Sequence, residues 1–161
     1  MKIGIISDTH IPERSSEIPP EVFEAFKDVE LIIHVGDMVT LDTVEQLKKI
    51  APVKAVHGNM DTPEVQRTFP KKEILEIGKF KIGICHGGGP AGRIISYVRN
   101  AFDQKLDAII FGHSHTPLCE KREGVLFFNP GSPTDTIFAP YRSCGIVEIN
   151  DEIKGTIIKL S

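Results

Sequence analysis

Cysteine is scarce in this chain and poorly placed for pairing. Its three copies, Cys85, Cys119 and Cys144, are odd in number, widely spaced and without a CxxC pair, so the disulfide framework of a small secreted domain is not expected. Long apolar runs are also missing. The N-terminal stretch Ile3 to Ile6 is cut off by Asp8, far short of a signal-peptide core, and no run approaches the roughly 18 residues of a membrane span. A soluble, cytoplasmic protein with no membrane association is expected. Nor is there an excess of positive charge: 19 Lys and Arg against 22 Asp and Glu give a net charge of −3, which argues against a sequence-independent nucleic-acid binder. The pairs Lys48-Lys49 and Lys71-Lys72 read as solvated surface. With no linker, internal repeat or low-complexity segment, residues 1–161 are expected to form a single domain. A chain of this length buries roughly 70% of its unfolded surface without disulfides or a structural metal, so a bound metal would be functional.

What is present is an alternation of strand and helix signals. Strands are expected over 2–7, 31–34 and 53–56, with helices over 20–27 and 41–50 between them, which implies a largely parallel sheet with ligands gathered at the carboxyl ends of its strands. From residue 73 the pattern turns to hairpins: 74–77 with 81–84 across Gly78-Lys79, 118–122 with 125–128 across Glu123-Gly124, and 145–149 with 153–159 across Asn150-Asp151. A helix over 91–104 and a strand over 108–111 complete the second half, read as a more antiparallel sheet. Two mixed sheets with helices outside them make an α/β fold, a four-layer αββα sandwich.

The chemistry lies where these strands end. Asp8-Thr9-His10 and Gly112-His113-Ser114-His115-Thr116 each place two metal-ligating side chains two positions apart, a spacing that puts both on one face of an extended chain. Gly36-Asp37, Gly58-Asn59-Met60-Asp61 and His86-Gly87 each set one further ligand-competent side chain beside a glycine that lets the backbone turn or approach an ion. Taken singly, Asp8, Asp37 and Asn59 also suit turns, and His86 suits a structural histidine. The joint pattern selects metal. Seven nitrogen and oxygen ligands (Asp8, His10, Asp37, Asn59, His86, His113 and His115) exceed what one tetrahedral ion takes, and two ions about 3.5–4 Å apart, bridged by Asp37, fit better. Two divalent cations and two aspartates leave positive charge to attract a phosphate oxyanion and hold a deprotonated water.

The ordered series DxH (8–10), GD (36–37), GNxD (58–61), HG (86–87) and GHSHT (112–116) resembles the calcineurin-like metallophosphoesterases, and the chain looks like their small single-domain phosphodiesterase branch. Asn129-Pro130-Gly131-Ser132 extends the resemblance over nearly the whole chain. It implies that Asp8, His10 and His115 hold one ion, that Asn59, His86 and His113 hold the other, and that Asp37 bridges them. It further implies in-line attack of a metal-bound hydroxide on phosphorus. Asp37, Asn59 and His86 are the catalytic candidates, with Asn59 and Arg142 as contacts for substrate phosphate; Arg142 reads equally as a surface residue. One departure matters. Many relatives carry a histidine after Gly-Asn that protonates the leaving group, whereas this chain has Met60, whose thioether donates nothing, and Asp61 is the available substitute. General acid catalysis is worth roughly 10²–10⁴-fold, so diesters with good leaving groups are expected to outrun monoesters.

The ligand types suit two divalent ions, manganese first, with nickel, iron, zinc or cobalt tenable. The expected partner is a small phosphodiester, with no stable nucleic-acid complex; relatives suggest a homo-oligomer, dimer or tetramer. The rival readings are a noncatalytic protein-interaction scaffold of the same fold, and a nuclease or phosphomonoesterase. His34 and His57 read as groups behind the ligands. The Gly87–Ile94 stretch lacks the Lys and Ser/Thr of a phosphate-binding P-loop, leaving its backbone amides as an anion-facing loop.

Overall fold

The computed structural model describes residues 1–161. Strands β1 (Lys2–Ile6), β2 (Leu31–His34) and β3 (Val53–Ala55) are parallel neighbours, and the first two read as nearly unbroken apolar runs because both of their faces are covered. Helices α1 (Pro20–Ala25) and α2 (Asp42–Leu47) connect them. Both are shorter than their expected spans, since the flanking residues continue only as hydrogen-bonded turns. A further helix, α3 (Pro63–Thr68), was not anticipated. Its single buried side chain, Val65, gives no periodic stripe, although Thr62 accepting the Val65 amide and Pro63 at the first position are standard start signals.

The second half contains β4 (Lys72–Ile77), β5 (Phe80–Cys85), α4 (Ile94–Asn100), β6 (Ala108–Ile110), β7 (Leu118–Arg122), β8 (Val125–Asn129), β9 (Ser143–Ile149) and β10 (Ile153–Lys159). The helix expected over 91–104 begins as a 3-10 turn at Ala91–Arg93 and stops at Asn100. Phe102 and Leu106 turn inward instead, filling the space above Gly83. The strands form two five-stranded sheets, ordered β10-β9-β1-β2-β3 and β4-β5-β6-β8-β7. Two details depart from expectation. The β9–β10 hairpin joins the first sheet through β9 and β1, and the centre of the second sheet is parallel, β5 with β6 and β6 with β8.

The layers follow from side-chain alternation. Ile3, Ile5 and Ile33 meet Ile82, Ile84, Ile110 and Phe128 between the sheets. Ile32 and Ile146 turn the other way, packing with Val22, Phe26 and Leu47 under α1 and α2, while Ile109 and Phe127 pack with Ile94 and Val98 of α4. The result is the expected αββα order. Because β1, β2 and β3 in one sheet and β5, β6 and β8 in the other are parallel within their sheets, each sheet presents a row of carboxyl ends, where binding loops collect.

Candidate metal centre

The loops leaving those strand ends are not extended. Asp8, His10, Asp37, His113 and His115 all have left-handed backbones, with φ of 54°, 43°, 56°, 72° and 58°. Asp8 with His10 and His113 with His115 therefore converge through tight left-handed turns, not through the strand alternation expected from their spacing. Such conformations are uncommon outside glycine, cost on the order of 1–3 kcal/mol each, and cluster at functional sites. The loops are laced together by Asp8 N–H to Gly36 O (3.0 Å), His10 N–H to Asp37 O (3.0 Å) and Gly112 N–H to His86 O (2.9 Å). Two glycines permit this closeness: a Cβ on Gly58 would collide with Asp37 Oδ1, and one on Gly112 with Ser7 Oγ and Asp8 Oδ2.

Each carboxylate has one oxygen occupied and one bare. Asp8 Oδ2 accepts from Ser7 Oγ (2.6 Å) and His113 N–H (3.0 Å), and Asp37 Oδ1 accepts from Met60 N–H (2.8 Å). The other oxygens face histidine nitrogens. Asp8 Oδ1 lies 3.8 Å from His10 Nε2, 3.7 Å from His86 Nε2 and 3.3 Å from His115 Nε2. Asp37 Oδ2 lies 3.6 Å from His10 Nε2 and 3.2 Å from His86 Nε2. Most of these separations are too long for hydrogen bonds, but two ligands about 2.1 Å from one ion stand about 3.0–3.5 Å apart. Asp8 Oδ1, His10 Nε2 and His86 Nε2 are buried without any hydrogen-bond partner, a costly state that a cation would relieve. Two groups thus have ligand atoms within 4.8 Å of one another: Asp8 with His10 and His115, and Asp8 with Asp37 and His86. The residues present fit divalent metal.

The histidine tautomers suit that role. His86 Nδ1 donates to Val35 O (2.8 Å) and His115 Nδ1 to Asp135 Oδ2 (2.5 Å), so each turns an Nε2 lone pair toward the carboxylates. Without an ion, burial pulls His86 down but Asp8 and Asp37 outweigh it, pushing its pKa up to about 9. Burial raises the Asp8 carboxyl, yet the charge of His86 and the close approach of the His10 and His115 imidazoles hold it far below the usual carboxylate range. His34 differs. Its Nδ1 accepts from Gly36 N–H (3.1 Å) while Nε2 pairs with Thr9 Oγ1 (3.1 Å), and burial lowers its pKa to about 4, so it is a neutral pin between the first two loops.

Other expectations change. Asp61 is not placed to act as a proton donor: its carboxylate accepts the backbone amides of Asp37 (3.0 Å), Val39 (2.7 Å) and Gly58 (2.6 Å), which favour its ionised, acceptor form and staple two of the loops together. Arg142 bonds Glu21 and the Ser161 backbone oxygen and is not among the residues lining the cleft of Asn59, His86 and His113. The sequence reading missed Asp135, fully buried, which besides His115 accepts from Arg14 (3.1 Å) and from the amides of Ile137, Phe138 and Ala139. Nothing short of its tertiary partners singles it out. Asn129 and Ser132 brace the ligand loops, Asn129 Nδ2 donating to Gly112 O (3.1 Å) and Ser132 Oγ to Asp8 O (2.8 Å).

Asn59, His86 and His113 line a common cleft of about 810 Å³ that also takes in His57, Gly87, Gly88 and Gly89. The His86 and His113 rings stand edge to face at 5.3 Å, but His113 does not join the tight groups of ligand atoms. Lys71 and Lys72, expected as plain surface, line this cleft as well. No helix is long and apolar enough to cross a membrane.

Comparison with known proteins agrees with this geometry. The family model of the calcineurin-like phosphoesterase superfamily domain matches residues 1–152. A probable metallophosphoesterase of Methanothermobacter thermautotrophicus is 44% identical over 135 residues, 83% of this chain and 78% of that protein. Among solved structures, a Vps29 of Entamoeba histolytica complexed with zinc superposes with a TM-score of 0.77 at 26% identity, covering 99% of both chains. An archaeal phosphodiesterase superposes with a TM-score of 0.71 at 27% identity, covering 98% of this chain and all of that one. With its ordered motifs folded into one bare-faced cluster of carboxylates and imidazoles, the chain belongs to the calcineurin-like phosphoesterase superfamily.

Proposed function

We propose that the protein is a binuclear-metal phosphodiesterase acting on small diesters. The observation that carries this reading is the set of unpartnered buried atoms, Asp8 Oδ1, His10 Nε2 and His86 Nε2, converging where the carboxyl ends of two sheets meet. Asp8, His10 and His115 would hold one ion, and Asn59, His86 and His113, with Asp37 between, the other. The position of Asp37 Oδ2, within 3.6 Å of His10 Nε2 and 3.2 Å of His86 Nε2, supports a bridging role. Bound there, divalent ions such as manganese supply the charge that lowers the pKa of water and offsets that of the phosphate oxygens. Asn59 would orient a phosphate oxygen, a role supported by its exposure on the same cleft.

Hydrolysis forms a bond from water oxygen to phosphorus while the ester P–O bond breaks, the leaving oxygen keeping the electron pair and taking a proton. Met60 is half exposed and offers no proton, and Asp61 is held as an acceptor by three backbone amides. The leaving oxygen must therefore be stable or served by solvent, which favours diesters of acidic alcohols over alkyl monoesters. With equal manganese loading, bis(para-nitrophenyl) phosphate should be cleaved faster than alkyl monoesters, Met60→His should help poor leaving groups most, and Asp37→Asn should abolish turnover. Faster monoester cleavage would overturn the diester preference.

A second reading, a noncatalytic scaffold, draws on the likeness to Vps29 and on the exposed apolar pair Ile137 and Phe138, 75% and 71% accessible. Absence of any phosphoester turnover in metal-loaded protein would favour it.

A further inference from the structure

Resting on the diesterase reading, a second question is what the rest of the cleft holds. The phosphoryl group would occupy only the end formed by Asn59, His86 and His113. The remainder runs over the glycine loop to Tyr97, Asn100 and Ala101 at α4 and to Lys71 and Lys72 at the start of β4. At about 810 Å³ the whole falls within the roughly 300–1,000 Å³ typical of small-molecule sites, which leaves room beside one phosphate for a much larger substituent.

The chemistry of that wing is specific. Although the chain is acidic overall, no Asp or Glu lines the cleft, while two lysines do. Lys72 is committed, its Nζ donating to Ala101 O (2.5 Å) with Phe102 beneath it at 5.7 Å. Lys71 is exposed and makes no hydrogen bond or ion pair, so its ammonium is free for an anion. Tyr97 is 44% accessible, and its ring lies against Gly88 so closely that a Cβ there would come within 2.8 Å of Cζ. An aromatic ring with open surface beside a cleft is a stacking platform. Gln66 donates its Nε2 to Asp61 O (2.8 Å), which leaves its amide oxygen as an oriented acceptor on the same wall.

We propose that this wing is a subsite for a nucleoside bearing a second phosphate: the preferred substrate is a linear phosphodiester with a nucleotide substituent, its base on Tyr97 and its additional phosphate on Lys71. Cleavage consumes one water and releases one alcohol and one phosphomonoester; no other reactant is required. A cyclic mononucleotide, whose one phosphate is the group being cleaved, has none left for Lys71.

The test uses the full metal-loaded chain with two linear dinucleotides, ApA and its terminally phosphorylated form pApA, alongside bis(para-nitrophenyl) phosphate. The expected kcat/KM for pApA exceeds that for ApA by about tenfold, the scale of one charge-assisted contact. Lys71→Ala should collapse that ratio toward one, mainly through KM, Lys71→Arg should keep it, and Tyr97→Leu should weaken both dinucleotides while Tyr97→Phe restores them. A wild-type ratio of one together with good cleavage of the aryl diester would overturn the subsite and leave the diesterase standing. If no diester is cleaved, that activity reading fails, and calorimetric titration with adenosine bisphosphate decides the subsite: binding weakened by Lys71→Ala upholds it, and equal affinities overturn it.

Discussion

At the scale of single residues, the centre is organised by what occupies the far side of each ligand. Asp135 shows this most clearly, because its carboxylate fixes His115 through Nδ1 while drawing charge-assisted bonds from Arg14 and three successive amides. Burial raises its pKa, but the hydrogen bonds from His115 and from the Ile137 and Phe138 amides outweigh that effect and hold it down at about 2, so it stays an acceptor throughout the physiological range. Asp135→Asn keeps the shape but removes the charge that makes the imidazole a good donor to a cation. Loss of such supporting groups typically costs about 10–100-fold in metal affinity, and calorimetry of manganese binding should show that weakening at one of two sites. Unchanged affinity at both would remove Asp135 from the metal-holding role. The proposed ligand positions could be picked out in the sequence because carboxylate, amide and imidazole types repeat beside glycines at strand ends. Asp135 was not, since its function exists only through partners distant in the chain.

At the scale of elements, strands were easier to read than helices. The β7 and β10 spans were anticipated to the residue because alternation and turn chemistry coincide there. The six-residue helices are too short for a 3.6-residue stripe to declare itself, and their ends are set by packing. Sheet membership was also hidden: nothing local tells β9 to pair with β1 rather than with β8. A steric fit accompanies that choice. Phe128, at the end of β8, sits against Gly145 of β9 and Gly155 of β10, where an added Cβ would lie 2.5 Å from its ring. Gly145→Ala should therefore destabilise the protein by about 1–3 kcal/mol through overpacking, and a paired Phe128→Leu should recover part of that. A urea midpoint unmoved by Gly145→Ala would show that the seam between the sheets is loose enough to absorb a methyl group.

For the whole molecule, buried histidines tie stability to pH and to metal with opposite signs. In the metal-free protein His34 has a folded pKa near 4 against 6.5 unfolded, so as pH falls from 6.5 toward 4 the unfolded chain takes up a proton that the folded one refuses, and stability drops. His86 has a folded pKa near 9 against 6.5 unfolded, so its contribution is complete below 6.5 and vanishes as pH rises through 9. Chelated protein should thus be most stable around pH 6.5. Metal binding requires neutral imidazole, so affinity, and with it the stability of loaded protein, should climb over the same interval in which the chelated form weakens. Urea midpoints at about pH 4, 6.5 and 9, with chelator and with manganese, check both signs. Parallel curves would show that the histidines do not couple folding to metal.

The left-handed backbone at five of the proposed ligand positions limits how this centre can be altered, whether by drift or by design. Besides glycine, only asparagine, aspartate and histidine enter that conformation with any frequency, and a branched residue there is an outlier. The usable alphabet at those sites is consequently narrow, and it is almost the same alphabet that coordinates cations. A lineage that discards catalysis can shed one imidazole at a time, yet the simplest replacements will keep the loops in shape and retain some capacity to bind an ion.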